Sequence, residues 1–190
     1  MAKKILILSA SPKKDGNTAM LVNWFCKGAR AKDVEIEIVL AAFLKYKSNG
    51  CTSCRVCQKI KEYECVIDDE AKPVLKKMAE ADVIVMATPL YFFGPSAQLK
   101  LIFDRMFSLF KWDNEAKTMQ TVLKGKTLVL IASAFEDVGL EVLEKPFALT
   151  AEYSGMKFKS LLIPNAGVSG TIKNDAAIRE KTISLGREIG

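Results

Sequence analysis

The chain has 190 residues, a net charge of +6, 49% apolar and 26% charged residues, and no histidine. That length supports one well-buried core and not two ordinary domains, and the composition is that of a soluble globular protein. Without histidine there can be no Ser-His-Asp triad, no Cys-His pair and no His-ligated zinc or haem, so acid–base work falls to other side chains or to a bound cofactor.

No apolar stretch approaches the length of a membrane span, and no charged-then-apolar leader stands at the start, so a cytoplasmic location without a membrane partner is expected. Lys and Arg are scattered, with no basic block interleaved with aromatics, which argues against a nucleic-acid partner. A modest positive field instead assists capture of anionic small molecules.

Ile5 to Leu8 is a short unbroken apolar run, as a strand covered on both faces requires, and a strand is expected over 4–8. The segment that follows, Ser9-Ala-Ser-Pro-Lys-Lys-Asp-Gly-Asn-Thr18, gathers hydroxyl and amide donors where a helix over 17–31 should begin. Unpaired backbone N–H groups and the dipole favour an anion there. The loop fits neither G-x-x-x-x-G-K-[ST] nor G-x-G-x-x-G. It suits a terminal phosphate monoester, whose oxygens accept many separate donors; the plainer reading is that Asn17 or Thr18 merely caps the helix.

A strand over 34–40 leads into an oversized connection, 41–70, holding four of the five cysteines. A helix over 71–81 and a strand over 82–87 come next. Then Thr88-Pro-Leu-Tyr-Phe-Phe-Gly-Pro95 leads into a helix over 95–110. Pro89 and Gly94 fix an irregular backbone, while Tyr91, Phe92 and Phe93 offer flat apolar surface beside backbone donors over 90–93. Such a loop binds the edge and face of a ring system, or it is simply three core aromatics at a strand end. With a phosphate on the first loop, the pair describes a mononucleotide such as FMN.

A strand over 126–133, a helix over 138–154 stopped by Gly155, a strand over 157–163 and a helix over 173–188 complete the chain. Strict strand–helix alternation predicts an α/β fold, a three-layer doubly wound five-stranded parallel sheet of flavodoxin-like order 2-1-3-4-5. Residues 1–190 are expected to form a single domain with a cysteine-rich insertion at about 41–70. Ligands in such sheets bind beyond the carboxyl ends of the strands, here at loops 9–17, 88–95 and 133–139.

Through Ser9–Thr18, Thr88–Tyr91, Ser96–Lys100 and Asp104–Arg105 the chain resembles the NADPH-dependent FMN reductases of flavodoxin-like fold, over roughly 3–165. The resemblance implies that Ser9, Ser11, Asn17 and Thr18 bind the FMN phosphate, with Lys13 and Gly16 in the same loop. Pro89, Leu90, Tyr91 and Phe92 would lie along the isoalloxazine, and Ser133, Ala134 and Phe135 would border it more loosely. Gln98 to Arg105 is expected to pack its own helix. No catalytic side chain is required, because the flavin carries the chemistry.

Cys51-x2-Cys54-x2-Cys57-x7-Cys65 places three thiols at ferredoxin-like spacing with a fourth in reach. Thiolate-only sites select iron–sulfur clusters or zinc, and redox-active or metal-free thiols are a third reading. The arrangement resembles that of iron-sulfur flavoproteins, which implies a [4Fe-4S] cluster near FMN; an exposed cubane is easily lost in air. Cys26 is expected to be a buried small apolar residue.

The implied function is an FMN-dependent oxidoreductase or electron-transfer flavoprotein relaying electrons between FMN and the cluster. Its partners would be small-molecule or protein electron donors and acceptors, with NAD(P)H a candidate donor. The alternatives are an NAD(P)H-dependent FMN or quinone reductase without a cluster, and a non-catalytic zinc-binding interaction module. The resemblance further implies a homodimer or homotetramer.

Overall fold

The structure, a computed structural model, describes residues 2–190. Five parallel strands run in the order β2-β1-β3-β7-β8: Lys3–Ser9 (β1), Val34–Leu40 (β2), Val83–Tyr91 (β3), Thr127–Ser133 (β7) and Lys157–Ile163 (β8). This is the flavodoxin-like order expected from the alternation. Central-strand side chains alternate between two cores. Leu6, Leu8, Ile84, Met86, Leu128 and Leu130 face one layer, and Ile5, Ile7, Val83, Val85, Val129 and Ile131 face the other. Both faces are apolar because both are covered, so these strands read as continuous apolar runs.

Helices α1 (Asn17–Ala29) and α5 (Ala176–Ile189) cover the second face; α2 (Ala71–Glu80), α3 (Ala97–Phe103) and α4 (Leu140–Ser154) cover the first. The rings of Phe103 and Phe147 join α3 to α4 with centroids 4.9 Å apart. Cys26 is buried on α1. Among the described residues, no helix is long and apolar enough to cross a membrane.

Helices α1 and α5 touch backbone to backbone. A Cβ on Gly28 would collide with the Ile183 carbonyl, and one on Gly186 with the Phe25 carbonyl. Gly28→Ala should therefore lower stability by roughly 2–3 kcal/mol through overpacking against rigid backbone. Denaturant unfolding measures this, and a loss below about 0.5 kcal/mol would show that the crossing can slide.

Two departures matter for the site. The helix expected over 95–110 is α3 only to Phe103 and then tightens into a 3-10 segment, Asp104–Leu109. Arg105 in that segment is tied to Asp69, a tertiary tether that local periodicity does not encode. An antiparallel hairpin, β5 (Phe110–Asp113) with β6 (Thr118–Thr121), follows where no element was expected. Its four-residue strands are too short to display a period. Strand β3 also runs on to Tyr91, where it pairs with a two-residue strand, β4 (Gly94–Pro95).

Candidate functional site

The loops after β1, β3, β7 and β8 meet at the carboxyl edge of the sheet around a cleft of about 270 Å³. Helix α1 opens at one end of it. Its N-cap is Gly16, no side chain caps it, no acidic residue lies in its first turn, and the Met20 N–H is bonded to the Gly16 carbonyl. The N–H groups of residues 17–19 thus lack intrahelical acceptors and, with the dipole, form a positive end. Ser11, Lys13, Gly16 and Thr18 line this end.

Asn17 also lines the cleft, but its side chain is committed. Its Nδ2 donates to the carbonyls of Ala166 (2.9 Å) and Val168 (3.1 Å), and its Oδ1 accepts from the Gly170 N–H (2.8 Å). Both amide protons are used, so Asn17 has only its backbone N–H to offer an anion. Ser9 closes β1, buried between neighbouring strands and outside the cleft wall.

Pro89, Leu90 and Tyr91 form the second wall. Thr88 Oγ1 accepts from the Ser96 N–H (3.0 Å), and Ser96 Oγ donates to the Ala10 carbonyl (2.7 Å), so the first two loops are latched together. The turn between β3 and β4 places Phe92 and Phe93 at φ of 45° and 64°. Left-handed backbone costs a non-glycine residue roughly 1–2 kcal/mol. The turn holds Phe92 wholly in solvent, not along the cleft where it was expected, while the Phe93 ring rests on Gly139. Ser133, Ala134 and Phe135 line the third side, with Phe135 63% exposed and offering an open apolar face.

A fourth wall, Ala166–Ser169, was not anticipated. Its Ala166 and Gly167 N–H groups donate to the Ala134 and Phe135 carbonyls (2.8 and 3.2 Å). The signal was present: Pro164, Gly167 and Gly170 punctuate the chain just after the last strand, and Gly167 and Gly170 both adopt positive φ.

The cysteine insertion leaves the carboxyl end of β2, and its Phe43 ring takes the Lys14 ammonium of the first loop 4.9 Å from its centroid. Cys51, Cys54, Cys57 and Cys65 line one small, mostly apolar cavity of about 20 Å³ with Arg55, Arg105 and Phe107. Cys51 and Cys54 are exposed; Cys57 and Cys65 are buried. Among the described residues, no three His, Cys, Asp or Glu side chains converge on a single point as one metal ion requires. Ser53 and Arg55 both adopt positive φ, curling the backbone around Cys54. The Val56 N–H beside Cys54 draws its thiol below the usual value, and burial pushes the Cys57 thiol up.

The insertion is firmly held. Lys111 Nζ of β5 donates to the carbonyls of Cys57, Ile60 (2.9 Å) and Glu62 (2.7 Å). Gln58 bonds the β5 backbone at Phe110 (2.9 Å) and Trp112 (3.1 Å). Arg105 Nη1 grips both Asp69 carboxylate oxygens at 2.8 Å, and its Nη2 donates to the Ile67 carbonyl (3.1 Å). Arg105 Nε is fully buried and has no acceptor, the one such side-chain nitrogen or oxygen among the described residues. Leaving a buried donor unmatched costs about 1–3 kcal/mol.

Comparison with known proteins follows the same lines. A family model for NADPH-dependent FMN reductases matches residues 3–161. An iron-sulfur flavoprotein of Methanocaldococcus jannaschii is 38% identical over 102 residues, 54% of this chain and 51% of that protein. The chain thus spans about half the length of that relative. A Bacillus subtilis protein, described provisionally as an NAD(P)H-dependent FMN-containing oxidoreductase, is 22% identical over 90% of each chain. Among solved structures, an FMN-dependent NADH-azoreductase from Bacillus anthracis in complex with FMN superposes with a TM-score of 0.75 at 14% identity, covering 99% of this chain and 100% of that one. A flavodoxin from Archaea gives 0.58 at 12% identity over 98% and 95%. At such identities the likeness shows the flavodoxin-like fold.

Proposed function

The chain belongs to the NADPH-dependent FMN reductase family, and from that premise we propose that it is an FMN-dependent oxidoreductase whose carboxyl-edge cleft holds the flavin. One observation carries this reading: the cleft joins an uncapped, acid-free helix N-terminus to an apolar wall at Leu90, Tyr91 and Phe135. The polar end suits a phosphate and the apolar wall a flat ring, at opposite ends of one ligand.

In this reading the N–H groups of residues 17–19 and the Ser11 and Thr18 hydroxyls hold the phosphate, and Lys13 supplies charge. Asn17 acts indirectly, through the Ala166–Gly170 wall that its amide ties down. Pro89–Tyr91 and Ser133–Phe135 flank the ring. Bound there, FMN supplies hydride and single-electron exchange, which leaves the histidine-free chain no proton-transfer duty to fill.

We further propose that Cys51, Cys54, Cys57 and Cys65 hold a [4Fe-4S] cluster that relays single electrons. The donor chemistry fits: four cysteine thiols line one cavity, and thiolate-only sites select iron–sulfur clusters or zinc. The buried, unmatched Arg105 N–H beside them fits a missing acceptor. An NAD(P)H-dependent reductase without a cluster is the second reading; the Bacillus subtilis relative, whose match covers 90% of each chain, is named for NAD(P)H and FMN. Exposed Val142, Leu149 and Tyr153 on α4 support assembly as a homodimer or homotetramer.

Anaerobic mixing of the FMN-loaded chain with NADPH or NADH tests the reaction. The flavin absorbance should bleach with at least one nucleotide, and a flavin that neither reduces would exclude nicotinamide as donor. Reconstitution with iron and sulfide tests the thiols. Iron and acid-labile sulfide should be taken up in equal amounts, and replacing all four cysteines by Ser should abolish uptake. Unchanged iron in that variant would place the metal elsewhere.

A further inference from the structure

Arg105 is buried at 1% exposure, in the 3-10 segment that replaces the end of the expected helix. Its guanidinium cannot turn. Nη1 chelates Asp69, Nη2 reaches the Ile67 carbonyl, and the Asp69 carboxylate is itself fixed by the Lys47 (3.0 Å) and Ala71 (3.1 Å) N–H groups. The remaining nitrogen, Nε, has no acceptor for its N–H, and Arg105 lines the cavity that also holds the four thiols. An arginine present only to neutralise Asp69 needs no unmatched donor, and this one belongs to a residue that lines the thiol cavity.

On the cluster reading above, we propose that Arg105 Nε–H donates a hydrogen bond to a sulfur of the group bound by the four thiolates, and so sets its reduction potential. Asp69 cancels the arginine's net charge, so the effect is local. One N–H directed at sulfur stabilises the extra negative charge of the reduced form and raises the potential. Arg55 lines the same cavity but is exposed, where solvent weakens any comparable effect. The Asp69–Arg105 pair also anchors the segment just after Cys65, so one interaction orients a ligand and tunes what it holds.

The test is an anaerobic redox titration, followed by electron paramagnetic resonance, of iron-reconstituted wild type and Arg105→Lys. Lysine keeps a cation beside Asp69 and removes the Nε–H. The variant should retain iron, with a lowered thermal midpoint from the lost bidentate grip, while its reduction midpoint moves to a more negative potential. An unmoved potential in an iron-replete variant overturns the assignment.

Should that variant fail to fold or to take up iron, a second measurement decides. A chain carrying Arg55→Lys and nitrogen-15-labelled arginine, reduced after reconstitution, should show an arginine nitrogen coupling by pulsed resonance. Its absence overturns the assignment. A wild-type chain that binds no iron overturns the cluster reading as well, which separates that failure from this one.

Discussion

Asp69→Ala should destabilise the fold by about 3–5 kcal/mol, because it leaves the Arg105 guanidinium buried without its carboxylate. The side chains of both partners are at most 1% exposed, so water cannot replace the lost oxygens. The Lys47 and Ala71 N–H groups lose their acceptor as well, and Ala71 begins α2. Asp69→Asn, which keeps an acceptor oxygen, should cost less. Burial would raise the Asp69 carboxyl, but the Lys47 N–H and Arg105 outweigh it and hold it below the usual carboxylate range. A carboxyl held low in the folded state contributes stability above its unfolded value and loses it as pH falls through the folded one. Wild type should therefore weaken in acid more steeply than Asp69→Ala. Denaturant titrations across pH measure both, and a neutral-pH loss under about 1 kcal/mol would show that the pair is not a structural clamp.

Gly16→Asp should uncouple folding from flavin binding. Asp is a favoured N-cap, and its carboxylate would accept from the free N–H groups of the first turn of α1. The backbone at Gly16 is extended, and an added Cβ would meet the Lys13 Cβ and Ser169 Oγ at 3.2 Å; the Ser169 hydroxyl can rotate away, while Lys13 yields only by a slight shift of its loop backbone. Thermal stability should hold or rise slightly. FMN affinity should fall by about 100-fold or more, since the variant fills the phosphate position with its own anion and repels the ligand's charge. Riboflavin, which lacks the phosphate, should lose far less. Equal losses for the two ligands would mean that the cleft wall was damaged; no loss for either would mean that Gly16 is only the start of a helix.

Most of the fold was legible because the central strands are buried on both sides. Ile5–Leu8, Val83–Ala87 and Leu128–Ala132 are continuous apolar runs, separated by helical segments whose true ends, α3 apart, lie within a few residues of expectation. What the sequence hid depends on contacts distant in the chain. The Asp104–Leu109 segment follows from Arg105 reaching Asp69, and the β5–β6 hairpin is fixed by Lys111 and Gln58 bonding across the cysteine insertion. Donor-rich Ser9–Thr18 drew attention to the first loop, yet composition could not say which donors are free. Asn17 spends its amide on the Ala166–Gly170 loop. Similarly, three consecutive aromatics marked the second loop, but only the backbone shows that the turn sends Phe92 into solvent and keeps Leu90 and Tyr91 on the cleft.

Side-by-side titration of the apo-protein with FMN and riboflavin tests most directly whether the cleft recognises a phosphate at the start of α1. Two charge-assisted hydrogen bonds from the Ser11 and Thr18 hydroxyls at about 1.5–3 kcal/mol each, beside the helix N–H groups, predict that FMN binds at least roughly 100-fold more tightly, an advantage that Ser11→Ala with Thr18→Ala should reduce but not abolish. Riboflavin binding as tightly as FMN to the wild-type chain would contradict it.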